Sequence, residues 1–160
     1  SSDLQILHTI LSLAIRKYVM DPVPIQIHFN VESTDPDCVL ALEVFLDDQQ
    51  QIRLDHVQKK QAVTLDLNDA VAAEHELRIE MTGKTWKHTQ IDQQGNIIQD
   101  AALKISDLSI DEIDSTELFY TQGIYFHDFN GNALVKYQVP FNGEMGCNGT
   151  VLFKFKTPCL

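Results

Sequence analysis

From Ile25 onward, apolar residues return at every second position in short runs, and turn residues separate the runs. A period of two puts one set of side chains on a buried face and the other in water, which is the pattern of half-buried strands. Ile25, Ile27, Phe29 and Val31 alternate with Gln26, His28 and Asn30. Ile52 and Leu54 alternate with Arg53 and Asp55; Val63, Leu65 and Leu67 with Thr64 and Asp66; and Leu77, Ile79 and Met81 with Arg78 and Glu80. Val39 to Leu46 is nearly continuously apolar, which predicts a strand covered on both faces or placed at an interface.

The second half keeps the pattern. Ile91-Asp92 and Ile97-Ile98 flank Gln93-Gln94-Gly95-Asn96, as in a hairpin. Leu103 and Ile105 share one parity and Leu108 and Ile110 the other, so a bulge is expected near Ser106-Asp107. Asn130-Gly131-Asn132 joins Ile124–Phe129 to Leu134–Val139, a second hairpin signal. Asn148-Gly149 before Val151, Phe153 and Phe155 is a third. In all, about ten short strands are expected, with no room for the helices that a parallel α/β sheet needs. The fold class is therefore all-β: an antiparallel β-sandwich of jelly-roll type, over residues 22–160.

Residues 1–21 read differently. Leu4, Leu7, Leu11, Ala14 and Tyr18 recur at three- and four-residue steps, which predicts a helix or arm ending at Asp21-Pro22. Ile6, Ile10, Leu13 and Ile15 make its remaining circumference apolar too, so burial under the domain or against a neighbouring chain is expected. Ser1-Ser2-Asp3-Leu4 has neither a basic region nor a small-residue cleavage site, and no signal peptide is read there.

Composition bounds the partners. Twelve Lys and Arg stand against 23 Asp and Glu, a net charge of -11, which opposes binding to a phosphate backbone; no nucleic acid is expected. No apolar stretch is long enough for a membrane-spanning helix, and no membrane partner is expected. Cys38, Cys147 and Cys159 are odd in number and widely spaced, unlike a disulfide framework or a zinc knuckle.

Chemistry-bearing patterns are few. There is no GxSxG elbow and no HExxH, and the six histidines are scattered, so no enzyme is read and no catalytic residue assigned. His28 and His88 are expected to face outward from strands. Asp107, Asp111, Glu112, Asp114 and Glu117 form an acidic cluster without Lys or Arg; Asp111 with Asp114 is the pair assigned to a calcium ion in a carbohydrate-binding alternative. In that alternative Trp86 or Tyr125 stacks on the sugar, because an aromatic face covers the apolar face of a pyranose.

The stretch Leu77 to Asp114, with Thr82-Gly83-Lys84-Thr85, Thr89-Gln90-Ile91-Asp92, Gly95-Asn96-Ile97-Ile98 and Ile110-Asp111, resembles structural proteins of tailed-phage virions. Met145 to Phe155 is similar to their closing strand. The likeness spans roughly half the chain and departs at Glu112, where a glycine is expected nearby. It implies a decoration, neck, tail or fibre module made in a bacterial cytoplasm. On that reading the chain assembles with copies of itself or with other virion proteins, and no cofactor is needed. Leu4, Leu7, Leu11, Val39, Leu42 and Val44 are the residues assigned to assembly.

Overall fold

The computed structural model describes residues 2–8, 24–67 and 73–157 of the 160-residue chain. Among them are thirteen strands in two main antiparallel sheets and one small hairpin. The first sheet holds β1 (Ile25–Ser33), β4 (Gln61–Leu67), β8 (Leu103–Ile110), β9 (Ile113–Asp114) and β12 (Glu144–Met145). Its order is β12-β8-β1-β4, with β9 on β8. The second holds β2 (Ala41–Leu46), β3 (Gln49–Leu54), β5 (Ala73–Thr82), β10 (Ile124–His127), β11 (Tyr137–Pro140) and β13 (Gly149–Thr157). Its order is β11-β10-β13-β5-β2-β3. The remaining pair, β6 (Thr89–Ile91) and β7 (Ile97–Asp100), stands apart as its own two-stranded sheet. The chain passes repeatedly from one main sheet to the other, the connectivity of jelly-roll sandwiches.

Alternation in sequence becomes alternation in burial. Ile27, Phe29 and Val31 of β1, Val63 and Leu65 of β4, Leu77, Ile79 and Met81 of β5, and Val151, Phe153 and Phe155 of β13 point into one core between the sheets. Each buried Val, Leu, Ile or Phe contributes about 1.5–3 kcal/mol, so this cluster dominates the stability. The parity change in β8 is a bulge: His28 pairs with Ser109 but Asn30 with Ser106, and Asp107 takes φ 54° to absorb the extra residue. Asn30 Nδ2 donates to Asp107 Oδ2 at 3.0 Å and holds the bulge against β1.

Within Val39–Leu46, β2 takes the first of its two expected forms, a strand covered on both faces: Leu42 and Val44 are wholly buried in the core rather than on an assembly surface, and the Arg78 guanidinium covers the outward Phe45 ring at 4.2 Å. Two other segments depart from the sequence reading. Asn148-Gly149 does not close a hairpin, because β12 pairs with β8 in one sheet while β13 pairs with β5 and β10 in the other. Residues Thr116–Gln122, read only as the end of an acidic run, form a helix that buries Phe119 against Phe141 and Phe153, with ring centres 4.9 and 5.2 Å apart. Of the N-terminal segment, residues 2–8 are helical, as expected, and exposed on this single chain, so they are not buried under the domain; burial against a neighbouring chain is the alternative left open. The rest of that expectation, Leu11 included, lies outside the described residues, as does Cys159. Among the described residues no helix is long and apolar enough to cross a membrane.

Candidate functional site

β5 ends at Thr82-Gly83, and the chain must then turn from the main sheet into the β6–β7 hairpin. Gly83 takes φ 96°, and a Cβ there would lie 2.8 Å from the Val39 carbonyl oxygen, so only glycine fits this turn. One 3-10 turn, Trp86–His88, follows. It is closed by His88 N–H donating to the Thr85 carbonyl and Thr85 N–H donating to His88 Nδ1, both at 3.0 Å. His88 is thus a turn-closing acceptor, not the outward strand residue expected. The turn projects Trp86 into solvent at 81% exposure. Burial of an indole is worth several kcal/mol, so an isolated Trp left this open is unusual in a folded domain.

Trp86 is one wall of a cleft of about 690 Å³. Thr85, Thr89 and Ile91 line the same side, and Asn130 and Asn132 from the β10–β11 loop line the other. Lys84 also lines it, although only 5% of the residue is exposed. Its ammonium donates to Asp100 Oδ1 at 2.5 Å and to the Gly146 carbonyl. Thr89 Oγ1 donates to the same Asp100 oxygen at 2.7 Å. A buried ammonium demands such partners, and here they tie the foot of β6 to the end of β7 and to the β12–β13 turn.

The two walls are joined by Asn148. Its Oδ1 accepts from Lys84 N–H and its Nδ2 donates to the Lys84 carbonyl, both at 2.9 Å. Its own N–H donates to Asn130 Oδ1 at 2.7 Å. On the far wall, Asp128 Oδ1 accepts from Gly131 N–H at 2.8 Å, which shapes the loop tip. Phe129 and Tyr137, both about half exposed, pack edge to face with ring centres 5.0 Å apart. The cleft therefore offers an open indole, amides and hydroxyls on a cross-braced frame.

The other assigned residues fall elsewhere. Tyr125 is buried: its hydroxyl donates to the Cys147 carbonyl and accepts from Cys147 N–H at 2.9 Å, and burial pushes its pKa well up. It braces the β12–β13 turn and cannot stack on a ligand. Asp111 takes φ 52° in the turn after β8, and its N–H donates to the Gln26 carbonyl at 2.9 Å. Asp114 accepts from Thr116 N–H at 3.0 Å at the start of the helix, and that hydrogen bond holds its carboxyl below the usual range. Calcium takes six to eight oxygens, several from carboxylates. Among the described residues no three His, Cys, Asp or Glu side chains come together as such a site, around Asp111 and Asp114 or elsewhere. Of the assembly residues, Leu4 (72% exposed), Leu7 (65%) and Val39 (55%) are open to solvent, whereas Leu42 and Val44 are core.

A second cleft of about 590 Å³ lies beside the helix, lined by Ile110, Ile113, Leu118 and Phe155, with Asp114 and Lys154 also present. It has no solvent-directed aromatic ring comparable with Trp86.

Neither a protein-family model nor a curated protein matches the chain. Among solved structures it is similar to vCBM60 in complex with galactobiose, at 10% identity and a TM-score of 0.47 over 80% of this chain and 96% of that one. It is likewise similar to a selenomethionine form of vCBM60, described with a circular permutation linking two families of calcium-dependent carbohydrate-binding modules. That match has 10% identity and a TM-score of 0.47, over 81% of this chain and 89% of that one. At this identity and overlap, neither carries a functional conclusion for this chain.

Proposed function

We propose that this β-sandwich binds a carbohydrate, without catalysis, in the cleft between the Trp86 turn and the β10–β11 loop. The observation that supports it is Trp86 itself, 81% exposed and facing a cleft whose other lining groups are amides, hydroxyls, Ile91 and the ion-paired Lys84. A pyranose has an apolar face that covers an indole and a rim of hydroxyls that needs neutral donors and acceptors. Asn130, Asn132, Thr85 and Thr89 supply both kinds. Trp86 is the only tryptophan in the chain, so its fluorescence reports directly on the cleft. Saccharides that bind are expected to shift and quench that emission. Trp86→Ala, assayed by calorimetry, is expected to weaken binding by about five- to 150-fold, since stacked rings contribute on the order of 1–3 kcal/mol. Saccharide binding that survives Trp86→Ala undiminished would remove the cleft as the site.

A second reading is a virion structural subunit that assembles with copies of itself or with other virion proteins. Leu4, Ile6 and Leu7, exposed together on the helical residues 2–8, favour it. Mass in solution across concentration tests it: a defined oligomer supports assembly, and a monomer at high concentration opposes it.

A further inference from the structure

We infer that the cleft selects uncharged saccharides and holds them without a divalent cation; the inference rests on the carbohydrate-binding reading above. Acidic sugars need a cation within hydrogen-bond reach, and charge-assisted bonds from Arg or Lys are how proteins hold carboxylates and sulfates. Among the described residues, the single titratable one lining the cleft is Lys84. Its ammonium is committed to Asp100 Oδ1 and the Gly146 carbonyl, and its side chain is 2% exposed. It has no face left for a ligand anion.

The acidic neighbours point the same way. The exposed Lys87, whose Nζ lies over the Trp86 ring at 5.8 Å from its centre, is the cation that stands against this, but it does not line the cleft, and the Lys87→Ala variant below tests it. Asp128 sits on the loop that forms the far wall, and Asp100 stands beneath Thr89. The chain as a whole carries a net charge of -11, which repels polyanions at long range. What remains for recognition is neutral: the side chains of Thr85, Thr89, Asn130 and Asn132, with Trp86 and Ile91 as apolar walls.

The same lining argues against a bridging ion. Calcium between protein and sugar hydroxyls is held by protein carboxylates. Among the described residues no Asp or Glu lines the cleft, Asn130 Oδ1 already accepts from Asn148 N–H, and Asp100 Oδ1 is shared between Lys84 and Thr89. The donor set suits a sugar held directly.

The test uses the full chain on a glycan array carrying neutral, uronate, sialylated and sulfated saccharides, with added calcium and again with EDTA. Hits are followed by titration of the Trp86 fluorescence. The expected result is binding confined to neutral saccharides, with affinity unchanged within about twofold by EDTA and by Lys87→Ala. Binding confined to acidic saccharides, or neutral binding abolished by EDTA, overturns this inference and leaves the carbohydrate reading standing. No binding in any class, with Trp86 emission unresponsive, overturns both.

Discussion

Lys84 and Asp100 show how one residue's burial decides what a substitution costs. The Lys84 side chain is 2% exposed and that of Asp100 39%. Removing the carboxylate leaves an ammonium in a dry place with only the Gly146 carbonyl; removing the ammonium leaves a carboxylate that water can reach. The two changes are therefore unequal. Asp100→Ala is expected to lower stability by about 2–3 kcal/mol, and Lys84→Met, which keeps the apolar stem, by about 1 kcal/mol. Urea unfolding of both variants checks the order, and a larger loss for Lys84→Met would mean that the ammonium is better solvated than its burial implies. Trp86 lies at the opposite extreme. It touches little of the fold, so Trp86→Ala should leave the unfolding midpoint nearly unchanged, which makes it a clean binding variant.

At the scale of elements, the β6–β7 hairpin that carries one wall of the cleft is held at its tip by Asp92. Its Oδ1 accepts from Gln94 N–H at 2.9 Å and Asn96 N–H at 2.8 Å, and Oδ2 accepts from Asn96 Nδ2 at 3.2 Å. The Asn96 backbone bond, ahead of the others, lowers the Asp92 pKa below its ordinary value of 3.8. A depressed carboxyl stabilises the fold above its unfolded pKa and loses that contribution as pH falls through the lower folded value. The hairpin tip is thus expected to stay intact at neutral pH and to loosen below about pH 4. Amide exchange at Gln94 and Asn96 followed on acidification checks this, and the same amides should be unprotected at neutral pH in Asp92→Ala. Exchange that stays slow through that range in the wild type would show that the turn backbone alone holds the tip. This hairpin was legible in the sequence, because Asp92, Gly95 and Asn96 advertise a turn between Ile91 and Ile97. So was the β8 bulge, because a change of parity has no other cheap explanation in a strand. The helix Thr116–Gln122 was not, since seven residues give too little period to read, although Asp114-Ser115 before it and Gly123 after it are helix boundary signals. The cleft was legible only by half. Trp86 stood out as an aromatic after a turn, but its partners Asn130 and Asn132 lie more than forty residues away and read as loop chemistry. Tyr125 followed core alternation, and only its buried hydroxyl, bonded to Cys147, separates it from a ligand-facing ring.

For the whole molecule, the carbohydrate and assembly readings place function on different parts of the chain, so one pair of substitutions separates them. Leu4 and Leu7 are exposed, and nothing in the cleft is built from residues 2–8. Exposed substitutions away from packing or hydrogen-bond networks usually change stability by about 0.5 kcal/mol or less. Leu4→Glu with Leu7→Glu is therefore expected to leave both the unfolding midpoint and the Trp86 fluorescence response to saccharide as they are in the wild type. If residues 2–8 also join copies of the chain, the same double variant adds like charge to a chain already at -11 and shifts any oligomer toward monomer. Light scattering across concentration, run beside the saccharide titration, reads both at once. A shift in mass with unchanged binding assigns assembly to residues 2–8 and recognition to the cleft. Unchanged mass with unchanged binding leaves those leucines without an assembly role. Lost binding in the double variant would couple residues 2–8 to the cleft, which the separation of the two sites on the chain does not predict.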